Sequence, residues 1–156
     1  MDLPATDRFE GMEKGVTTPA QSALQTSVGR LGFTAGQVIQ EFGYDSDVDD
    51  DFRFAIEDQT GTDLEDEDYQ DVADSSLIWW RKDDGDLVDA VVDALTNLGD
   101  GGSVVVLTLK AGRRGHVEAS DIEEAATTAG LHTSGTVNAC DDWTATKLVA
   151  PKTGRR

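Results

Sequence analysis

The segment that most constrains this chain runs from Leu77 to Leu109. It opens on a short continuous apolar run, Leu77-Ile78-Trp79-Trp80, bounded by polar turns, as in a strand covered on both faces. Asp83-Asp84-Gly85 makes a turn, and Asp86 is a good N-cap for the helix that follows. Leu87, Val88, Val91, Val92, Leu95 and Leu98 are assigned to one face of that helix, with Asp89, Asp93 and Asn97 on the other. Gly99 is read as its stop and Gly101-Gly102 as the next turn. Residues 103–109 then form a strand rich in β-branched side chains. Two short strands joined through a helix run parallel, with a right-handed crossover. The expected fold is therefore α/β, a mainly parallel open sheet with flanking helices.

The flanking segments extend this unit. Leu24, Val28 and Leu31 suggest a short lead helix closed by Gly32, and residues 36–43 read as a first strand between two glycines. Residues 47–59 read as a helix on the stripe Val48, Phe52, Ala55, Ile56, with acids crowding its first turn. Residues 62–74 are too polar for a buried strand. They are expected as a loop or short acidic helix with Leu64, Tyr69 and Val72 inward. Ser120 and Glu123 have the spacing of a capping box for a helix ending near Gly130. Residues 132–139 and 146–149 are expected to close the chain as an antiparallel pair around Asp141-Asp142-Trp143. Residues 1–21 lack periodicity and are expected to be a disordered tail. A single domain is expected over 22–151, followed by a short basic tail at 152–156.

Charge narrows the classes of partner. With 31 acidic and 13 basic residues the chain carries −18, a field that repels phosphate backbones and anionic lipid. Neither non-specific nucleic-acid binding nor membrane binding is expected. Cys140, the single cysteine, allows no internal disulfide, and the first residues carry no secretory pattern. The expected location is the cytoplasm. The acid is concentrated: residues 41–74 hold fifteen carboxylates against Arg53 alone.

Few residues suggest chemistry. Asp45, Asp47 and Asp49, with Glu57, invite a calcium reading, but the sixth and twelfth positions of such a loop are Asp50 and Ile56 rather than glycine and a carboxylate. A dense helix start is the better reading, and no metal is expected. His116 and His132 lie apart, without a nucleophile motif. Cys140 sits beside Asp141 and Asp142, whose charge raises a thiol pKa. Lys110-Ala111-Gly112-Arg113-Arg114-Gly115-His116 is a cationic loop after a parallel strand, where open α/β sheets place ligands. A crevice lined by Tyr44, Asp45, Trp80, Arg113 and Arg114, with His116 in the same loop, is the candidate ligand or partner site; the plainer reading of the loop is internal charge pairing with the acidic half. Trp143 is expected to anchor the terminal hairpin.

The run LVDAVVDALTNLGDGGSVVVLTLK, then DIEEAATTAGL and WTATKLVAP, resembles the carboxyl-terminal half of a class I methyltransferase-like Rossmann fold. More closely, GFTAGQVIQEFGYD, EDYQDVADSSLIWW and WTATKLVAP resemble the actinobacterial proteins grouped as domain of unknown function 3052, over roughly residues 25–151. That resemblance implies the fold and no reaction. True methyltransferases hold their cofactor with a glycine cluster after the first strand and an acidic residue ending the second. Here Phe42-Gly43-Tyr44-Asp45 supplies one glycine, and Gly29, Gly32 and Gly36 precede the strand. The implied fold is a degenerate one and no cofactor is expected. The leading expectation is a non-catalytic protein-binding or regulatory module with an unknown protein partner. The alternative is a small-molecule binder or methyltransferase-like enzyme using the crevice at the carboxyl ends of the strands.

Overall fold

The computed structural model describes residues 19–151. In chain order it contains α1 (Pro19–Arg30), β1 (Ile39–Phe42), α2 (Asp50–Thr60), β2 (Ala73–Trp80), a single 3-10 turn (Lys82–Asp84), α3 (Leu87–Leu95), β3 (Leu98–Leu109), α4 (Ala119–Thr128), β4 (His132–Asn138) and β5 (Trp143–Val149). The five strands lie in the order β1-β2-β3-β5-β4. The first three are parallel, and β5 runs antiparallel between β3 and β4. The expected fold class and terminal strand pair are thus present. The tail expected over 1–21 lies outside the described residues up to 18, and α1 takes in 19–21; the basic end at 152–156 also lies outside. Among the described residues no helix is long and apolar enough to cross a membrane.

Strand alternation divides the core in two. Leu77, Trp79, Val105, Leu107 and Trp143 face α1 and α2, where Val28, Leu31, Phe52 and Ile56 pack on them. Ile78, Trp80, Val104, Val106 and Leu148 face α3 and α4, against Val91, Ala94, Ile122 and Ala126. Beyond β1 the chain makes one further bridge: Glu65 pairs in parallel with Gln40. The chain therefore runs from β1 through α2 to the outside of β1, then returns to β2 on its other side. Gln40, 1% exposed, holds this return loop by donating Nε2 to the carbonyls of Asp66 and Tyr69.

Several local expectations are corrected. Helix α3 stops at Leu95, and Leu98 and Gly99 already belong to β3, so Gly101-Gly102 lies in a strand rather than a turn. Of the expected stripe, Leu87 and Val91 are buried against the sheet together with Ala94, Val88 and Leu95 pack there half-buried, and Val92 is 48% exposed. Positions 87, 91 and 94 share a face at i, i+4, i+7, and the small Ala94 lets the helix approach the sheet. Val72 is 62% exposed rather than inward, lying over Gly99. Helix α4 begins at Ala119 after Glu118, with no side-chain cap, so Ser120 already lies in the first turn and the capping box does not form. Asp49 does cap α2, accepting the Phe52 amide at 2.8 Å.

Candidate functional site

In open α/β sheets ligands sit beyond the carboxyl ends of the strands, where the chain departs to both sides of one strand. Here that strand is β1, flanked by Glu65 and by β2. Its last inward side chain toward α2 is Glu41, a carboxylate 6% exposed. Arg53, one turn into α2, grips it in a two-pronged pair: Nε to Oε2 at 2.7 Å and Nη2 to Oε1 at 2.9 Å. The same Oε2 accepts the indole N–H of Trp79 at 2.8 Å. Trp79 is fully buried, with Trp143 edge-on at 4.9 Å between ring centroids and Phe52 at 6.1 Å. Tyr44 lies over the guanidinium of Arg53 at 4.6 Å. The nearly buried Glu41 is stable as an ion because both its oxygens meet donors, and Arg53 stays one-fifth exposed. Opposed carboxylates hold Arg53 firmly in its charged form.

A second arginine fastens the loop after β1. Arg81 pairs with Asp47 through Nε at 3.0 Å and through Nη2, and its Nη1 donates to the carbonyls of Gly43 at 2.8 Å and Trp79 at 3.0 Å. Its guanidinium stacks over Trp143, whose own N–H reaches the Asp47 carbonyl at 3.2 Å. Arg81 holds the Asp47 carboxyl below the usual carboxylate range. The stabilisation from this pair is full above that range and fades as pH falls through the lowered value. From the outer side Glu67 accepts the Gly43 amide at 2.9 Å.

Gly43 is where the loop presses on β2. Its φ is +76°, and a Cβ there would lie 2.3 Å from the Trp79 carbonyl oxygen. Gly43→Ala is expected to cost about 1–2 kcal/mol from the left-handed conformation alone, and more once the contact with backbone is relieved. A urea melt measures it. A loss under about 0.5 kcal/mol would mean the loop does not lie on β2 as described.

The predicted site residues are dispersed. Tyr44 borders an open hollow of about 460 Å³ with Glu41, Arg53, Leu64, Asp66, Glu67 and Asp68. Trp80 borders two others, one of about 490 Å³ between α3 and α4 with Lys82, Leu87, Val117 and Asp121, and one of about 200 Å³ at the strand ends with Phe42, Gly43, Glu67 and Trp79. Asp45 is exposed and accepts the Ser46 amide. Arg113 is paired at 2.8 Å with Asp142 of the terminal hairpin, not with the acidic segment 41–74, and Arg114 is exposed. His116 places Nδ1 2.7 Å from the Leu109 carbonyl and Nε2 3.1 Å from Glu118. The loop does lie at the strand ends, since the Gly115 carbonyl accepts the Lys82 amide at 3.0 Å. Asp47 and Asp49 are committed to Arg81 and to the helix cap, and no group of three metal-ligating side chains occurs among the described residues. Trp143 anchors the core beside Trp79 as well as the hairpin. The charged residues that organise the place, Glu41, Arg53 and Arg81, were not among the predicted ones. Arg53 had one signal, being the lone base in 41–74.

Cys140 is a half-buried free thiol. Burial, and then the charge of Asp49 rather than of Asp141 and Asp142, pushes it up to about 12. Iodoacetamide at neutral pH is expected to leave the folded protein unmodified and to alkylate it promptly in urea. Equal rates in both would contradict the burial described.

Comparison with known proteins places this geometry. The family described as "Protein of unknown function (DUF3052)" matches residues 28–152. This chain belongs to the DUF3052 family. Among its relatives are "Uncharacterized protein Rv2239c" of Mycobacterium tuberculosis (strain ATCC 25618 / H37Rv) and "Uncharacterized protein Mb2263c" of Mycobacterium bovis, each 46% identical over 140 residues, covering 90% of this chain and 88% of the relative. Solved structures similar to this DUF3052 chain are methyltransferases and a biosynthetic protein. The N,N-8-amino-8-demethyl-D-riboflavin dimethyltransferase RosA of Streptomyces davawensis has a TM-score of 0.60 at 13% identity, covering 85% of this chain and 54% of that one. The pyocyanin biosynthetic protein PhzM gives 0.57 at 14%, covering 85% and 56%. A SAM dependent methyltransferase from Aquifex aeolicus gives 0.51 at 9%, covering 88% and 96%. The DUF3052 chain spans about half the length of the first two, and at these identities the likeness is one of fold.

Proposed function

We propose that this DUF3052 chain is a non-catalytic protein-binding or regulatory module on a methyltransferase-like frame. The observation that carries the reading is the occupancy of the strand-end position by the protein's own side chains. Glu41, Arg53 and Trp79 are tied together there, and Arg81 and Glu67 fasten the Gly43 loop across it, leaving a hollow of about 200 Å³ bordered by Phe42, Gly43, Glu67, Trp79 and Trp80. A fold supplies no activity of its own; activity belongs to a site. The small-molecule alternative asked Tyr44 and Trp80 to share one crevice, and among the described residues no one hollow is lined by both; the strand-end hollow that Trp80 borders with Phe42, Gly43 and Trp79 is only about 200 Å³.

The surface left for a partner is the acidic segment 41–74, with Tyr44 and Phe54 more than half exposed among its carboxylates. Such a surface attracts a protein that carries positive charge, and screening weakens the attraction as salt rises. The immobilised chain, incubated at physiological salt with a lysate of its source cells, is expected to capture a basic protein. A variant carrying Asp66→Asn, Glu67→Gln and Asp68→Asn is expected to lose it. Capture of nothing, or of the same proteins by both forms, would overturn the reading.

A further inference from the structure

Although 31 of the 156 residues are acidic, residues 19–40 hold one charged side chain, Arg30, and residues 125–140, the longest such run in the chain, hold no Asp, Glu, Lys or Arg. They are far apart in sequence and meet in the fold. The first supplies α1 and the second β4, and Ser27 Oγ of α1 donates to the Asn138 carbonyl of β4 at 2.6 Å.

Strand β4 is the last in the sheet, and His132, Ser134, Gly135, Thr136 and Asn138 are exposed. The Asn138 carbonyl points away from β5 to reach Ser27. Thr136, two residues earlier, therefore presents its N–H and C=O to the same outer side, where no strand among the described residues meets them. Proteins commonly blunt such an edge with lysine, proline, inward charge or bulges. This edge has no charge and no proline. Its one irregularity lies between Thr133 and Gly135, leaving 135–138 in regular register.

We propose that this face joins two copies of the chain. Strand β4 pairs antiparallel with β4 of a second copy across a two-fold axis, making one ten-stranded sheet with α1 of each copy beside the seam. Charge selects this occupant. A chain at −18 repels its own copies over most of its surface. Residues 132–138 carry no Asp or Glu, so strand meets strand here without setting carboxylate against carboxylate; Asp49, Asp51 and Asp141 lie at the Asn138 end of the face. A basic partner is drawn to the acidic faces instead. An apolar partner finds small polar side chains, Ser22, Gln25, Thr26, Ser134 and Thr136, in place of a hydrophobic patch. Antiparallel self-pairing is satisfied by what the strand offers, free backbone groups and threonines, and an isologous contact closes without forming fibres.

Sedimentation velocity on the full chain over a wide concentration range tests this. The wild type is expected to be a dimer. Thr136→Asp, which sets two carboxylates against each other at the seam, is expected to raise the dissociation constant at least about tenfold. Thr136→Val, and Val92→Asp on the exposed side of α3, are expected to leave the dimer intact. Hydrogen exchange on the wild type is independent of how well any variant folds: the Thr136 amide should be protected in the dimer and exposed in step with dissociation on dilution. A wild type monomeric throughout, or a dimer indifferent to Thr136→Asp, would overturn the proposal. So would a monomer with a protected Thr136 amide, which assigns the edge to residues of the chain outside 19–151.

Discussion

Trp79→Ala is expected to lower the free energy of unfolding by about 4 kcal/mol, within the range for removing a buried indole. The side chain is completely buried, so little of the cost is recovered by water entering. Its ring is the piece on which Phe52 of α2 and Trp143 of β5 both rest, so the void would open between three elements rather than inside one. Its N–H also satisfies Glu41, and the alanine leaves that carboxylate short of a donor. Domains of this size are stable by about 5–15 kcal/mol, so the variant is expected to unfold at much lower urea, with part of the population unfolded in buffer if the parent lies at the low end. Trp79→Phe keeps most of the volume and loses the hydrogen bond, and about 1–2 kcal/mol is expected. Urea melts of the three proteins check the order. A loss below about 1.5 kcal/mol for the alanine would show that Trp79 is not the centre of this core.

Glu41→Ala is expected to cost about 3 kcal/mol, the lower part of the range for breaking a buried ion pair. Two donors lose their acceptor at once: the Arg53 guanidinium and the Trp79 indole. Arg53 is one-fifth exposed and keeps Asp50 at 3.1 Å, so it turns partly to water, which keeps the cost from the top of the range. The indole has no such exit. Glu41→Gln retains an acceptor for it and is expected to cost roughly half as much. If alanine and glutamine cost the same, the Trp79 hydrogen bond contributes nothing. If neither costs more than about 1 kcal/mol, the pair behaves as an exposed one.

The central β2-α3-β3 unit was readable because two short β-branched or aromatic runs flanking one amphipathic segment leave few other arrangements. What hydropathy does not resolve is which apolar side chains of α3 meet the sheet. Leu87, Val91 and Ala94 are buried on it and Val88 and Leu95 pack there half-buried, while Val92, which looks the same in sequence, is exposed. The site was less readable for a related reason. Glu41 and Arg53 are twelve positions apart, and Asp47 and Arg81 thirty-four; no period links them, and only the return of the chain around β1 brings them together. Tyr44 and Trp80 were assigned one crevice because both end a strand, yet the alternation of β2 sends Trp80 to the α3 side while Tyr44 leaves β1 toward α2. The cationic loop was placed correctly at the strand ends, but which acid Arg113 meets depended on the fold of the terminal hairpin.

The central claim is that the chain's own side chains occupy the strand-end position, leaving beside Gly43 and Trp79 a hollow of only about 200 Å³. It is tested most directly by nuclear magnetic resonance on the ¹⁵N-labelled protein, following the Trp79 indole N–H and the Gly43 amide during titration with S-adenosylmethionine to millimolar concentration. The account predicts that neither signal moves and that both exchange slowly with deuterium, as expected of groups held by Glu41 and Glu67. Saturable shifts at both, at ligand concentrations well below millimolar, would contradict it.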